Sequence, residues 1–367
     1  MSGSPRKTRV AVVFGGRSPE HAISCISAGS VLGAIDRETY DVLAVGIARD
    51  GRWLLLPDDP QALQMHGREL PEVTAGQAVA LSNDPAQRGL RVFEGAATGV
   101  GELATVDVVF PVLHGAQGED GTIQGMLEIV GLPYVGAGVF SSAAAMDKEF
   151  TKKLLSAEGL PVGPYVVLRA DDPGVLDEDQ RNRIALPAFV KPARAGSSIG
   201  ITKITDWSQL EDAVRVAREI DPKVLIEEGI PGREIECGIL ADAAAPGLPF
   251  QVRASVPAEI RVLRGHDWYD FEAKYLDDAC EFDIPADLPD ETTAEIQDLA
   301  VRAFRAIDGR GLARVDFFVT EAGTVILNEV NTMPGFTPIS MYPRMWAASG
   351  IPYPELIDRL IRSGLPD

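Results

Sequence analysis

The sequence predicts a mixed α/β protein built from more than one unit, and three observations lead to that class. Short apolar runs closed by glycine turns alternate with stretches of helical period from the first residues onward. A length of 367 residues is enough for two or three cores rather than one. Hydrophobic residues at 46% and charged residues at 24% are ordinary for a globular chain.

The elements follow in order. TRVAVVF, the turn GGRSPEH and a helical stretch to about Ala34 make a βα unit. DVLAVGIA (41–48) is a second strand, and Asp50-Gly51 predicts a hairpin into RWLLL. Residues 57–104 are rich in turn formers and weakly periodic, so no element is assigned to them. DVVFPVLHG (107–115) reads as a buried strand, followed by a loop and the helix-like TIQGMLEIVG. PYVG (133–136) closes a first unit, an open α/β sheet.

A helix is expected over Ser141–Glu158, stopped by Gly159 and Pro161. PYVVL (164–168), PAFVKP (187–192), ITKI and KVLIEE (223–228) read as strands, with a helix over WSQLEDAVRVAREI. Beyond Gly229, REIECGIL and ASVPAEI are strand-like. The irregular, aromatic-rich stretch from about 262 to 289 is too long for a passive connection, which suggests a functional lid. A helix over Glu291–Ile307, the pair GLARVDFFVT and TVILNEVN around the turn Glu321-Ala322-Gly323, and two terminal helices complete the chain.

A net charge of −20 with no basic stripe speaks against nucleic-acid binding, while leaving a metal-neutralised substrate compatible. No apolar run approaches the roughly 20 residues that span a bilayer, and the basic start lacks a secretory signature. Cys25, Cys237 and Cys280 are sparse and odd in number, as in a reduced, cytoplasmic protein. No Cys/His spacing suggests zinc.

The most chemical segment is the last hairpin. Residues two apart on a strand share a face, which pairs Arg314 with Asp316 and Glu329 with Asn331. The short turn makes the strands antiparallel neighbours, with Asp316 opposite or diagonal to Glu329. Two carboxylates and an amide carbonyl suit Mg²⁺ when phosphates complete its shell. The plainer alternative is a solvated face with a salt bridge, disfavoured by apolar neighbours on both strands.

FVKPARAGSSIG (189–200) places a lysine at a strand end before a loop rich in backbone N–H donors, a way to grip phosphate. No Walker A loop occurs anywhere in the chain. GGRSPEH lacks G-x-G-x-x-G, and Glu20 there reads by itself as a carboxylate favouring a helix dipole. His114 in LHGAQGEDG reads equally as structural or functional. Met341 and Met345 suggest core packing.

Together, GGRSPEHAIS, LHGAQGEDG, DKEFTK, VKPARAGSSIG, DFEAKY, ARVDF and NEVNTMPGFTPIS resemble, in order, the D-alanine–D-alanine ligase family. The resemblance implies an ATP-grasp fold: an N-terminal α/β domain (1–136), a central small domain (137–228) and a C-terminal domain (229–367). It implies ATP, two Mg²⁺ ions that Mn²⁺ can replace, activation by K⁺ or a similar cation, and a homodimer. It implies that Lys148 and Lys191 contact phosphates, with Ser198 and Asn328 in the nucleotide set. Glu227, Glu228 and Ile230 would meet adenine and ribose, and Glu234 the ribose. Several relatives carry a lysine where this chain has Glu228.

Asp316, Glu329 and Asn331 resemble the metal ligands. Arg314 and the Gly335 N–H would contact the reacting carboxyl oxygens. Glu20 resembles the anchor for the first D-alanine's ammonium, joined by Ser197 and Tyr275, with His114 also in the substrate set. Lys274 would reach the γ-phosphate from the lid. Ser340 and Met341 align with the holders of the second D-alanine, Met341 in place of a common leucine, a volume-conserving change.

The reaction implied is phosphorylation of one D-alanine carboxylate and attack on it by the amine of a second, for peptidoglycan precursor synthesis. Phe271-Glu272-Ala273-Lys274-Tyr275 resembles the lid of D-alanine-using rather than D-lactate-using members. The rival readings are another ATP-grasp amino-acid ligase and a nucleotide-binding regulator without catalysis.

Overall fold

The computed structural model describes residues 6–65, 67, 69–84, 86–93, 102–242, 250–262, 280–337 and 339–366. Its strands form three sheets. The first is built around β1 (Thr8–Gly15), which α1 (His21–Ala34) links to the parallel β2 (Tyr40–Ile47). β3 (Trp53–Leu56) returns antiparallel through the expected Asp50-Gly51 hairpin. The unassigned stretch 57–104 holds a 3₁₀ turn at Pro60–Leu63 and three strands, β4 (Gln77–Leu81), β5 (Gly89–Val92) and β6 (Glu102–Thr105). They extend the sheet as an antiparallel meander. Each is too short to show a period against its turn formers, and pairing alone defines it.

β7 (Val108–Val112) runs parallel to β1 on its other side and leads into α2 (Thr122–Ile129). β1 is an unbroken apolar run because both its faces are covered. Val10, Val12 and Phe14 pack in one core, and Ala11 and Val13 in another with Ile123 and Leu127 of α2. Gly15 ends β1 at φ 87°, where a Cβ would meet the Ile47 carbonyl at 2.4 Å, so only glycine makes this turn.

The single helix expected over Ser141–Glu158 is two: α3 (Val139–Met146) and α4 (Lys148–Ala157). Asp147 between them is extended, with φ −94° and ψ 102°, and its carboxylate caps α4 by accepting from Glu149 N and Phe150 N. Lys223 Nζ holds the same carboxylate at 2.5 Å. No glycine or proline marks this break, because a distant cation and a side-chain cap produce it.

The second sheet contains β8 (Tyr165–Leu168), β9 (Ala188–Pro192), β10 (Thr202–Ile204) and β11 (Val224–Glu228), ordered β10-β9-β11-β8 and antiparallel throughout. The four-residue α5 (Glu178–Arg181) follows β8; a 3₁₀ turn at Trp207–Gln209 and α6 (Leu210–Arg218) lie between β10 and β11. Leu210, Ala213, Val214 and Ala217 make the buried stripe of α6.

The third sheet centres on β12 (Arg233–Asp242). ASVPAEI is not one strand: β13 (Gln251–Ala254) stops and β14 (Ala258–Val262) starts around Pro257, whose ring removes a ladder donor. Both pair with β12. β15 (Cys280–Asp283) pairs with β14 inside the expected lid, while residues 263–279 lie outside the described residues.

α7 (Asp290–Ala306) covers the back of this sheet through Ile296, Leu299, Ala300, Ala303 and Phe304, an i, i+3, i+4, i+7, i+8 stripe. β16 (Leu312–Val319) and β17 (Val325–Asn331) form the antiparallel hairpin. α8 (Met341–Ala348) and α9 (Tyr353–Ser363) return to the first sheet, where Leu356, Ile357, Leu360 and Ile361 join the core of Val10 and Phe14. Cys25 and Cys237 are buried free thiols. Among the described residues no helix is long and apolar enough to cross a membrane.

Candidate active site

A cleft of about 470 Å³ opens between the second and third sheets. Lys148, Lys191, Ser197, Ser198, Glu227, Glu228, Ile230, Glu234, Arg314, Asp316, Asn328 and Glu329 all line it. Twelve residues singled out in the sequence thus share one cavity.

Three strands supply its charged wall. Glu236 on β12, Asp316 on β16 and Glu329 on β17 lie directly opposite one another in register. Gly238, Arg314 and Asn331 make the next row. Arg314 clamps Asp316 with two bonds, Nε to Oδ1 and NH2 to Oδ2, each 2.7 Å. Its Nε also lies 3.1 Å from Glu236 Oε1. Burial opposes the guanidinium charge, but Asp316, Glu236 and Glu329 outweigh it and hold Arg314 well above its ordinary pKa.

The donors on this wall are oxygens. Among the described residues no group of three or more His, Cys, Asp and Glu side chains is arranged to hold a metal by itself. A hard divalent cation uses oxygen donors of this kind together with phosphate and water. Asn331 Oδ1 accepts from Met333 N at 2.9 Å, which orients the amide and occupies one of the two acceptor positions on that oxygen.

Cations line the opposite wall. Lys148 is the first residue of α4; its N–H donates to Ala193 O at 3.0 Å and its Nζ to Ala195 O at 2.7 Å. The helix start is thereby docked on the glycine/serine loop. Lys191 pairs with Glu227, whose other oxygen lies 3.0 Å from Lys152 Nζ. Burial raises the Glu227 pKa, but Lys152 and Lys191 overcome it and bring it down to about 2. Glu228 turns away to accept from Ala185 N at 2.9 Å.

Ser197 and Ser198 hold left-handed φ values of 51° and 58°. Consecutive non-glycine residues in that region are strained, and such strain gathers at functional sites. The Ser197 hydroxyl donates to Glu20 Oε1 across 177 positions of sequence. Glu20 immediately precedes α1 and makes no side-chain cap; its carboxylate is engaged by Ser197 instead. Its carboxylate lies between two glycines: a Cβ on Gly115 would reach Glu20 Oε2 at 2.5 Å, and one on Gly196 at 3.3 Å. His21 secures the approach, donating from Nδ1 to Gly16 O at 2.7 Å and accepting at Nε2 from Val73 N at 3.0 Å.

His114 Nε2 lies 3.0 Å from Ser27 Oγ, and Ser27 Oγ accepts from Phe336 N at 3.3 Å. This chain joins the first sheet to the loop carrying Gly335. Burial lowers the His114 pKa against the opposing pull of Glu20, keeping the ring neutral. A Cβ on Gly335 would meet Ser340 Oγ at 2.6 Å. Ser340 Oγ accepts from Thr337 N at 3.0 Å. Met341 and Met345 are buried with Ala258, the packing expected of them. Lys274 and Tyr275 lie outside the described residues.

Three residues near these groups escaped the sequence reading. Glu236 shares a face with Glu234 two residues before it, and that spacing was legible. Lys152 follows Lys148 by one helical turn, also a legible signal. Glu119 accepts from Gly115 N at 2.5 Å, and burial and the charge of Glu20 raise its pKa well above the usual range. Only the folded loop reveals that proximity.

Comparison with known proteins agrees with this geometry. Residues 9–137 match the family described as D-ala D-ala ligase N-terminus, and residues 154–362 the D-ala D-ala ligase C-terminus. The D-alanine–D-alanine ligase of Rhodococcus opacus (strain B4) is 58% identical, over 99% of this chain and 98% of its own. The solved D-alanine-D-alanine ligase from Coxiella burnetii superposes with a TM-score of 0.81 at 35% identity, covering 98% of this chain and 94% of that one. VanG D-Ala:D-Ser ligase from Enterococcus faecalis gives a TM-score of 0.82 at 33% identity, covering 97% and 99%. With family matches over both halves and a full-length relative at this identity, the chain belongs to the D-alanine–D-alanine ligase family, with its ATP-grasp fold.

Proposed function

We propose that this chain joins two molecules of D-alanine with hydrolysis of ATP to ADP and phosphate, supplying a dipeptide for peptidoglycan. What supports this is the meeting of Arg314, Asp316 and Glu329 with Lys148 and Lys191 in one cleft, bordered by the Glu20–Ser197 contact. Domain limits of 1–136, 137–228 and 229–367 accompany this reading.

The nucleotide lies in the cleft with its phosphates toward Lys148, Lys191 and the amides around Ser197 and Ser198. Its base and ribose lie toward Glu227, Glu228, Ile230 and Glu234. Two Mg²⁺ ions, or Mn²⁺ in their place, would be held by Asp316, Glu329 and Asn331, neutralising charge on the phosphates. Asn328 belongs to the same lining. A K⁺ requirement is an expectation with no residue attached.

Glu20 receives the ammonium of the first D-alanine, Ser197 orients that carboxylate, and His114 borders the pocket. Arg314 aligns the D-alanine carboxylate for attack on the γ-phosphorus, with ADP leaving. The second D-alanine, held by Ser340 and Met341, attacks the acyl phosphate as a free amine. Arg314 and the Gly335 N–H stabilise the resulting oxyanion, an effect of about 3 kcal/mol per donor, and phosphate departs as the peptide bond forms. By the resemblance, Lys274 and Tyr275 would serve to exclude water from the reaction.

A homodimer in the cytoplasm, with neither nucleic acid nor membrane as partner, completes the proposal. The test is phosphate release from ATP with D-alanine, L-alanine, D-serine or D-lactate as the acceptor, products being weighed by mass spectrometry. D-alanyl-D-alanine as the dominant product is expected. Equal rates with L-alanine would overturn the assignment, and a dominant D-serine or D-lactate product would overturn the second substrate.

A further inference from the structure

We propose that Glu236 is a positioning residue that holds Arg314 in place when the oxygens of Asp316 turn to metal. The inference rests on the roles given above to Arg314 and Asp316, and it concerns a residue those roles leave out.

The geometry behind it is a shared guanidinium. Arg314 makes both of its short bonds to Asp316, at 2.7 Å each. A carboxylate so clamped has about two of its roughly four lone-pair sites taken and its charge already shared, which weakens it as a metal ligand. Asp316 faces a cation more fully if Arg314 keeps another anion. Glu236 is that anion: it sits directly opposite Asp316 on the neighbouring strand, 4% exposed, with Oε1 3.1 Å from Arg314 Nε. Glu329 lies on the far side of Asp316, so the row runs anion, anion, anion with the arginine one step along.

The arrangement separates two tasks. Asp316 and Glu329 would face the metal, while Glu236, on the inner strand, keeps the guanidinium aimed at the reacting carboxyl group. Gly238 lies opposite Arg314 on β12, and a Cβ there would meet Trp346 Nε1 at 3.0 Å and Ser255 Oγ at 3.2 Å. Outer partners of this kind commonly change metal affinity by about 10–100-fold when removed.

The test titrates Mn²⁺ into the full-length protein with a β,γ-imido analogue of ATP, following free Mn²⁺ by electron paramagnetic resonance. Glu236→Gln should weaken Mn²⁺ binding about 10-fold, because Arg314 then leans wholly on Asp316. In an Arg314→Met background the same substitution should change nothing, since the competitor is gone. Equal weakening in both backgrounds would make Glu236 a ligand and overturn the proposal; unchanged affinity in the first would overturn it too.

Turnover gives a second reading. Glu236→Gln should lower kcat about 10-fold with KM for ATP within about twofold, whereas a raised KM with normal kcat would count against the idea. Asp316→Ala serves as the control, for if it leaves Mn²⁺ affinity unchanged the metal assignment itself fails, independently of Glu236.

Discussion

Asp316 and Glu329 face each other directly across β16 and β17, and just beyond them the register slips so that Phe317 pairs with Leu327 and Asn328 is left over. The slip reverses the alternation of β17. Val325 and Leu327 point into the core, and without the bulge Glu329 would follow them. The extra residue instead turns Glu329 into the cleft and sets Asn331 beside Arg314, outside the cleft lining, while Val330 takes the core position. One inserted residue therefore puts Glu329 on the charged wall.

The wall should fail as a unit when one member is removed. Asp316→Ala is expected to lower turnover about 10³-fold, the scale of several kcal/mol of lost charge stabilisation. The fold should persist, because Arg314 keeps Glu236 at 3.1 Å. Phosphate release and thermal unfolding, measured side by side, separate the two effects.

Ser197 binds Glu20 across two sheets, and its hydroxyl donates to a charged acceptor. Such bonds contribute about 1.5–3 kcal/mol. Ser197→Ala should raise KM for the first D-alanine about 10-fold or more, with KM for ATP little changed. Initial rates at varied D-alanine and saturating ATP would show it.

Gly335→Ala brings a Cβ within 2.6 Å of Ser340 Oγ, which is tied to Thr337 N at 3.0 Å and lies 2.8 Å from Thr337 Oγ1. The hydroxyl must leave both partners, a loss of about 1–2 kcal/mol, and the neighbouring backbone donor shifts. Expected is a fall in kcat of about 10-fold. Adding Ser340→Ala should recover the thermal stability but not the use of the second D-alanine.

Glu227 ionises at about 2 in the folded chain against an ordinary 4.5, because Lys152 and Lys191 outweigh its burial. The unfolded chain therefore binds the proton first as pH falls. The stabilisation is complete above pH 4.5 and disappears as pH drops toward 2. Glu227→Gln should make acid unfolding shallower across that window, by about one proton. Unfolding free energies from urea titrations at several pH values would reveal an unaltered slope if the carboxylate were unpaired.

The strands with continuous apolar runs were legible because burial on both faces writes itself into composition, as in VAVVF and VVFPV. The final hairpin was legible because a short turn forces antiparallel neighbours. The 57–104 meander was not, since Gln77–Leu81, Gly89–Val92 and Glu102–Thr105 become strands only by pairing with each other. The break at Asp147 was not either, for it depends on Lys223, 76 residues away.

By itself, the order of residues determined the strands with continuous apolar runs, the final hairpin, the motifs and the types of group that handle phosphate and a hard cation, all properties of local pattern and side-chain chemistry. Tertiary structure alone decided that Glu20 meets Ser197, that Glu236 joins Asp316 and Glu329 in a row, and that Arg314 stands between two carboxylates. The reason is physical: hydrogen bonds and charge pairs of this kind act over a few ångströms, and only folding brings groups far apart along the chain within that reach.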